Sequence, residues 1–222
     1  MGFVSDLKAK RAAKKAQAEY ERLHGQWEED VVLLKKLIEV FTAACQGEDA
    51  VGNYIVQKGG ERTLWSGVAI FHETGRTPSQ YLGSSSGFSI PVVAGIRYRV
   101  GATRGTLVPG SELQMDKDQG QVMLTSKRII FTGGVKSQEW LFDKLIGAST
   151  NEDETDYLFN VSNRQKTSGL RFDVASGREF NRFFALALSA SEHGFDAVLK
   201  ELSGIQKRIG GEEPQLELPA AE

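Results

Sequence analysis

The chain has 222 residues, of which 40% are hydrophobic and 25% charged, and its 27 Lys+Arg against 29 Asp+Glu leave a formal net charge of −2. That composition suits a globular protein large enough to bury a core without covalent help, and it argues against a nucleic-acid partner held by overall basicity. One cysteine excludes an intrachain disulfide and a cysteine-built zinc site; with no apolar run near the ~18 residues of a membrane span and no secretory signal, the expected location is cytoplasmic.

Between Ser5 and Gln46 there is no proline and a single glycine, Gly25, among alanine, lysine, glutamate and leucine, which are good helix formers. The expectation is an N-terminal helical segment over residues 1–46 with a weak point at Gly25. Its first part, 1–24, is a basic arm: Lys8, Lys10, Arg11, Lys14 and Lys15 surround only Leu7, small alanines, Tyr20 and Leu23. Its second part, 26–46, is amphipathic: Trp27, Val31, Leu34, Leu37, Ile38, Phe41, Ala44 and Cys45 recur at steps of three and four and share one helix face. That stripe is expected to dock on the rest of the chain or on a second copy, as a homodimer through 26–46. Cys45, on the stripe, is expected to be a buried, inert thiol.

After Gln46 the texture is that of a β protein. RTLWSGVAIF (62–71) reads as a strand, 81–92 is rich in glycine and serine, and GIRYRV (95–100) alternates with Arg97 and Arg99 on one side. Asp116–Gly120 reads as a turn, and QVMLTSKRIIFT (121–132) as two short strands around Thr125-Ser126-Lys127-Arg128. SQEWLFDKLI (137–146), DYLFNVSN (156–163) and SGLRFDV (168–174) continue the pattern. Trp140, Phe142 and Phe131 are expected in the core. The period then changes to that of a helix over about 177–208, with Gly194 dividing it. The glutamate- and proline-bearing tail 209–222 is expected to be disordered.

Residues 120–149, GQVMLTSKRIIFTGGVKSQEWLFDKLIGAS, resemble the bacterial pleckstrin-homology-like (PH-like, GRAM-like) domains: a glycine, an alternating strand ending in Leu-Thr, a basic pair, an Ile-Phe strand, then a Trp/Phe strand ending in Lys-Leu. GIRYRVGATRG (95–105) and VSNRQKTSGLRF (161–172) look like an actinobacterial family of cytoplasmic proteins sharing this module, without an established ligand. The resemblance spans roughly 60–205. It implies an α+β fold: a PH-like bent β-sandwich or partial barrel over 51–208, capped by the C-terminal helix and preceded by the N-terminal helical segment. The stretch 73–118 is then an insertion with its own hairpin. Partners of PH-like domains are phosphoinositides, other anionic lipids, or peptides.

No catalytic constellation is visible. His24, His72 and His193 lack metal-binding spacing, the glycine pairs form no phosphate loop, and Glu152, Asp153, Glu154 and Asp156 lack the spacing of a calcium loop. No enzyme activity, metal or cofactor is expected. Basic residues are the better candidates: Lys58, Arg62, Arg76, Arg97, Arg99 and Arg104 outnumber Glu61 and Glu73 across 51–110. Guanidinium groups suit phosphate and carboxylate geometry. The expected binding face is Arg97, Arg99 and Arg104, aided by Lys127 and Arg128. The expected function is a non-catalytic adaptor or interaction module that binds a protein or peptide. The alternative is peripheral binding of anionic lipid headgroups at the inner membrane face, through that basic face and the arm of Lys8, Lys10, Arg11, Lys14 and Lys15.

Overall fold

The computed structural model describes residues 3–52, 55–76, 89–91, 97–99 and 112–216. The fold is α+β, with an N-terminal helix, an antiparallel seven-stranded sheet that is not closed, and helices at the C-terminal end. The chain divides into two compact units, a helical one of Met1–Thr42 with Leu199–Glu222 and a β unit of Ala43–Val198.

The helical unit is built on α1 (Phe3–Cys45), 43 residues in a single helix. It runs through Gly25 without a break, contrary to the expected weak point. A glycine inside a helix costs about 1 kcal/mol relative to alanine, and one pair before it and one across it work against that cost: Gln17 donates to Glu21 at 2.9 Å and Arg22 to Gln26 at 3.0 Å. Leu34, Leu37 and Phe41 of the apolar stripe are buried. The second long element is α3 (Phe195–Ile209). The Trp27 indole N–H donates to the carbonyl of Ile209 at 2.9 Å, satisfying one of the acceptors a helix leaves open at its C-terminal end. His24 stands 3.6 Å from Glu213 just beyond. Assigning all of 177–208 to the β-domain is therefore corrected: from Leu199 onward the chain belongs with α1. Gly194, at φ 85°, separates α3 from α2 (Val174–His193), as its position suggested.

In the β unit the sheet order is β6-β5-β4-β1-β9-β8-β7. The central strand β1 (Thr63–Arg76) pairs with β4 (Glu112–Thr125) on one side and β9 (Ser168–Arg171) on the other. Outward from β4 follow β5 (Arg128–Gly133) and the edge strand β6 (Ser137–Leu141); outward from β9 follow β8 (Asp156–Val161) and the edge strand β7 (Leu145–Thr150). A separate two-stranded ribbon pairs β2 (Ser89–Pro91) with β3 (Arg97–Arg99), the hairpin expected within the insertion.

The sheet bends back on itself. Trp140 of β6 lies with its ring centroid 5.0 Å from that of Phe159 on β8, and its indole N–H donates to Ser168 Oγ on β9 at 3.1 Å. Into the concave face goes α2, started by Asp173, whose carboxylate accepts from Ser176 N at 2.9 Å. Its Phe180 packs on Trp65, Tyr157 and Phe172 at 5.4, 5.0 and 4.7 Å, and its Phe184 on Phe159 at 5.7 Å. Periodicity of 3.6 on one side and 2 on the other brings these rings together.

Three local expectations are corrected. Asp116–Gly120 is not a turn but part of β4, paired with β1 except at Lys117, where the register shifts in a bulge between Phe71 and His72. Its turn-like residues serve the neighbouring hairpin: the Asp118 carboxylate accepts from the backbone N–H groups of Val135 and Lys136 at 2.6 and 2.7 Å. SQEWLFDKLI is not one run; a single 3-10 turn at Phe142–Lys144 divides β6 from β7 and carries the chain from one edge of the sheet to the other. Phe142 is therefore half-buried, 6.1 Å from Phe184, whereas Trp140 and Phe131 are fully buried.

Gly169 of β9 marks a close approach. A Cβ there would meet the carbonyl oxygen of Tyr157 and, at 2.5 Å, Cε1 of His72. Because one obstacle is backbone, Gly169→Ala is expected to destabilise the β unit by about 1–3 kcal/mol, the usual cost of overpacking. Urea unfolding followed by tryptophan fluorescence measures it, and an unchanged midpoint would contradict the packing.

Candidate functional site

The outer face of the sheet, away from α2, carries a polar cluster across four strands. His72 of β1 sits over Gly169 and is fully buried. Its Nδ1 is 3.0 Å from Gln114 Oε1 on β4, and its Nε2 is 3.0 Å from Asp156 Oδ1 on β8. Arg171 of β9 donates through Nε to Asp156 Oδ2 at 2.8 Å and through Nη1 to Asp116 Oδ1 at 3.0 Å. Gln114 Nε2 donates to Thr74 Oγ1 at 2.8 Å, and Thr74 Oγ1 to the carbonyl of Thr167 at 3.0 Å. Burial alone would lower the pKa of His72, but the contacts with Asp156 and Gln114 outweigh it and hold the imidazole above its ordinary 6.5. Burial would raise that of Asp156, yet His72 and Arg171 hold the carboxyl below its ordinary 3.8. Nδ1 of His72 meets Gln114, while Nε2 is buried within ion-pair distance of Asp156 without an aligned hydrogen bond; both face internal groups, so the imidazole is not placed to exchange protons with a bound substrate.

A second cluster lies at the β4–β5 hairpin. Glu61, fully buried, accepts from Arg128 Nε at 2.8 Å, Arg128 Nη2 at 3.1 Å, Thr125 Oγ1 at 2.7 Å and Lys58 N at 2.7 Å. Burial would raise its pKa, but the bonds from Arg128, Lys58 N–H and Thr125 bring it below the ordinary carboxylate range. Arg128 also pairs with Glu139 and donates to the Val56 carbonyl at 2.8 Å. The cluster fastens the segment before β1 to the sheet.

Both clusters fix the sign of an acid limb. Asp156 and Glu61 have lowered folded-state pKa values, so their stabilisation is complete above the ordinary values of 3.8 and 4.5 and is lost as pH falls through the lower folded-state values. Stability of the β unit is expected to drop below about pH 4, and Asp156→Asn to flatten that drop. Urea midpoints measured from pH 6 down to pH 2.5 check it; a flat profile in the unmodified chain would contradict the pairing.

The expected basic face is only partly assembled. Arg97 and Arg99 are both on β3, at positions of one face, opposite Pro91 and Ser89. Arg104 lies outside the described residues. Lys127 is exposed at the hairpin tip and donates to the Gly59 carbonyl at 2.7 Å. Arg128 does not belong to a surface: it is 9% exposed and committed to Glu61 and Glu139, because, on the face of β5 opposite the core residues Ile129 and Phe131, the segment before β1 covers it and receives its guanidinium at Glu61 and the Val56 carbonyl. In the arm, Lys10, Arg11, Lys14 and Lys15 are exposed on α1, and Lys8 lies in the same helix. Cys45 is exposed rather than buried; its thiol donates to Asp196 Oδ1 at 3.4 Å, and that bond pushes its pKa up, so it is a poor nucleophile. Among the described residues no group of three or more His, Cys, Asp or Glu side chains could hold a metal ion, and no helix is long and apolar enough to cross a membrane.

The two edges of the sheet differ. On β6 the Glu139 carbonyl is taken by Arg164 Nη2 at 2.9 Å. On β7 no described strand pairs with the outer side, and Ile146 is 72% exposed. The row around His72 was not found from the sequence: its partners Gln114 and Asp156 are 42 and 84 residues away, and no local motif signals them.

No family model and no curated protein matches this chain. Among solved structures, the crystal structure of the C-terminal domain of an unknown protein from Leishmania infantum aligns with 57% of this chain and 87% of its own, at 12% identity and a TM-score of 0.25.

Proposed function

We propose that the chain is a non-catalytic interaction module of PH-like build that binds a protein or peptide partner at its free sheet edge. The observation that carries this reading is a difference between the edges: on β6 the Glu139 carbonyl is already taken by Arg164, while no described strand pairs with the outer side of β7, which carries an exposed Ile146. An open strand with an apolar side chain is a template for an added strand. The PH-like reading is supported by the strand order, in which seven antiparallel strands form two meanders joined through β1 and the helix α2 follows the last strand. The non-catalytic reading is supported by the commitment of the His72 ring and the Cys45 thiol to internal partners. We place this module in the cytoplasm.

A second reading rests on a different observation, the exposed Lys10, Arg11, Lys14 and Lys15 on one stretch of α1. These would attract an anionic membrane surface, with a strong dependence on salt. One set of experiments separates the two. The immobilised full chain and its Ile146→Lys variant are compared for proteins captured from cytoplasm. In parallel, the chain and a variant carrying Lys10→Glu, Arg11→Glu, Lys14→Glu and Lys15→Glu are sedimented with vesicles of phosphatidylglycerol. A partner retained by the unmodified chain and lost with Ile146→Lys supports the edge. An identical capture set overturns it, and vesicle binding lost on charge reversal would transfer the function to the arm.

A further inference from the structure

The acceptors around His72 fix where its protons are. The Thr167 carbonyl can only accept, so the Thr74 hydroxyl spends its proton on it. The Thr74 oxygen then accepts from the Gln114 amide nitrogen, which turns the amide oxygen toward His72 Nδ1. Nδ1 therefore carries a hydrogen. Nε2 lies 3.0 Å from Asp156 Oδ1, within ion-pair distance but without the alignment of a hydrogen bond, and so close to a carboxylate a bare lone pair would be repelled. As an imidazolium, the fully buried ring would complete a charge-balanced row of His72, Asp156, Arg171 and Asp116.

The position of this row gives it leverage. Pairing of β1 with β9 ends at Glu73–Ser168, whereas pairing of β1 with β4 continues to Arg76–Glu112. His72 therefore sits at the root of a two-stranded ribbon of β1 and β4 that ends at Arg76–Glu112. We propose that His72 is a pH-sensitive fastener: as an imidazolium it ties the ribbon root to β8 and β9, and on losing its proton it releases that root. The groups that face it are Asp156 from β8, Arg171 from β9, and Gln114 and Asp116 from β4; Glu73, next in the chain, alternates to the opposite face. A neutral ring has one N–H for two acceptors, so either Gln114 or Asp156 loses its donor and the chain through Thr74 to Thr167 must reverse or break. The direction is consistent with the raised pKa: the stabilisation is complete below 6.5 and fades as pH rises through the folded-state value.

The test uses the full chain with His24→Gln and His193→Gln, which leaves His72 as the only histidine. Imidazole 15N correlations are recorded from pH 5 to pH 10, with amide exchange corrected for its intrinsic pH dependence. Both ring nitrogens should carry protons at pH 6, the midpoint should lie above 6.5, and protection of Thr74 and of Ser168–Arg171 should fall about tenfold for each pH unit past it. Asp156→Asn should lower the midpoint and Gln114→Glu should raise it. A ring with one bare nitrogen at pH 6, protection that is level across the midpoint, or a midpoint indifferent to both substitutions overturns the proposal. Should Asp156→Asn not fold, the titration of the parent chain and of Gln114→Glu decides.

Discussion

Arg128→Met is expected to destabilise the β unit by about 3–5 kcal/mol, because it strands a buried carboxylate. Glu61 is fully buried and receives two of its four hydrogen bonds from Arg128. Without them its charge is left with Thr125 and one backbone N–H. The cost measures the abandoned carboxylate more than the worth of the pair, so Glu61→Met combined with Arg128→Met should recover much of the loss. Denaturant unfolding of the two single variants and the double variant closes the cycle. Equal losses that add in the double variant would show that the two side chains do not depend on one another.

Trp140→Ala carries the second large effect, again about 3–5 kcal/mol, by emptying a core site. The ring is fully buried between Phe71 at 6.1 Å and Phe159 at 5.0 Å, and its N–H satisfies Ser168 Oγ. It joins β6 to β8 and β9 across the bend, so the void would open between opposite ends of the sheet. Thermal unfolding should shift down by about 6–20 °C, since each kcal/mol moves a chain of this size by about 2–4 °C. Trp140→Phe keeps most of the apolar contact and loses the hydrogen bond, and should cost about 1–2 kcal/mol. A loss below about 1 kcal/mol for the alanine variant would mean that the bend does not depend on this ring.

The sequence revealed what local periodicity encodes and little of what register encodes. The stripe from Trp27 to Ala44, the alternation in 156–161 and the change of period that becomes α2 were all legible, because each depends on spacing within one element. Asp116–Gly120 misled because Asp, Gln and Gly favour turns, while β1 supplied a partner that kept the segment extended. Arg128 misled for a related reason: a basic residue beside a turn looks solvated until Glu61, 67 residues away, is seen to receive it. His72 carried no signal at all, since its row exists only once β1, β4, β8 and β9 are in register. Of the expected binding face, the strand positions of Arg97 and Arg99 and the exposure of Lys127 are as anticipated.

The central place of β1 also has a consequence for synthesis. It leaves the ribosome before the other strands of its sheet, yet one of its two neighbours, β9, follows about 100 residues later, as Ile70 and Arg171 show. At about 5–20 residues per second, that is an interval of about 5–20 s during which residues 70–73, the part of β1 that β9 pairs, have one unpaired side. The nascent chain must spend that time with an apolar, strand-forming segment open to other chains, so its yield should depend on chaperone supply and on translation speed between β1 and β9 more than on the stability of the finished fold.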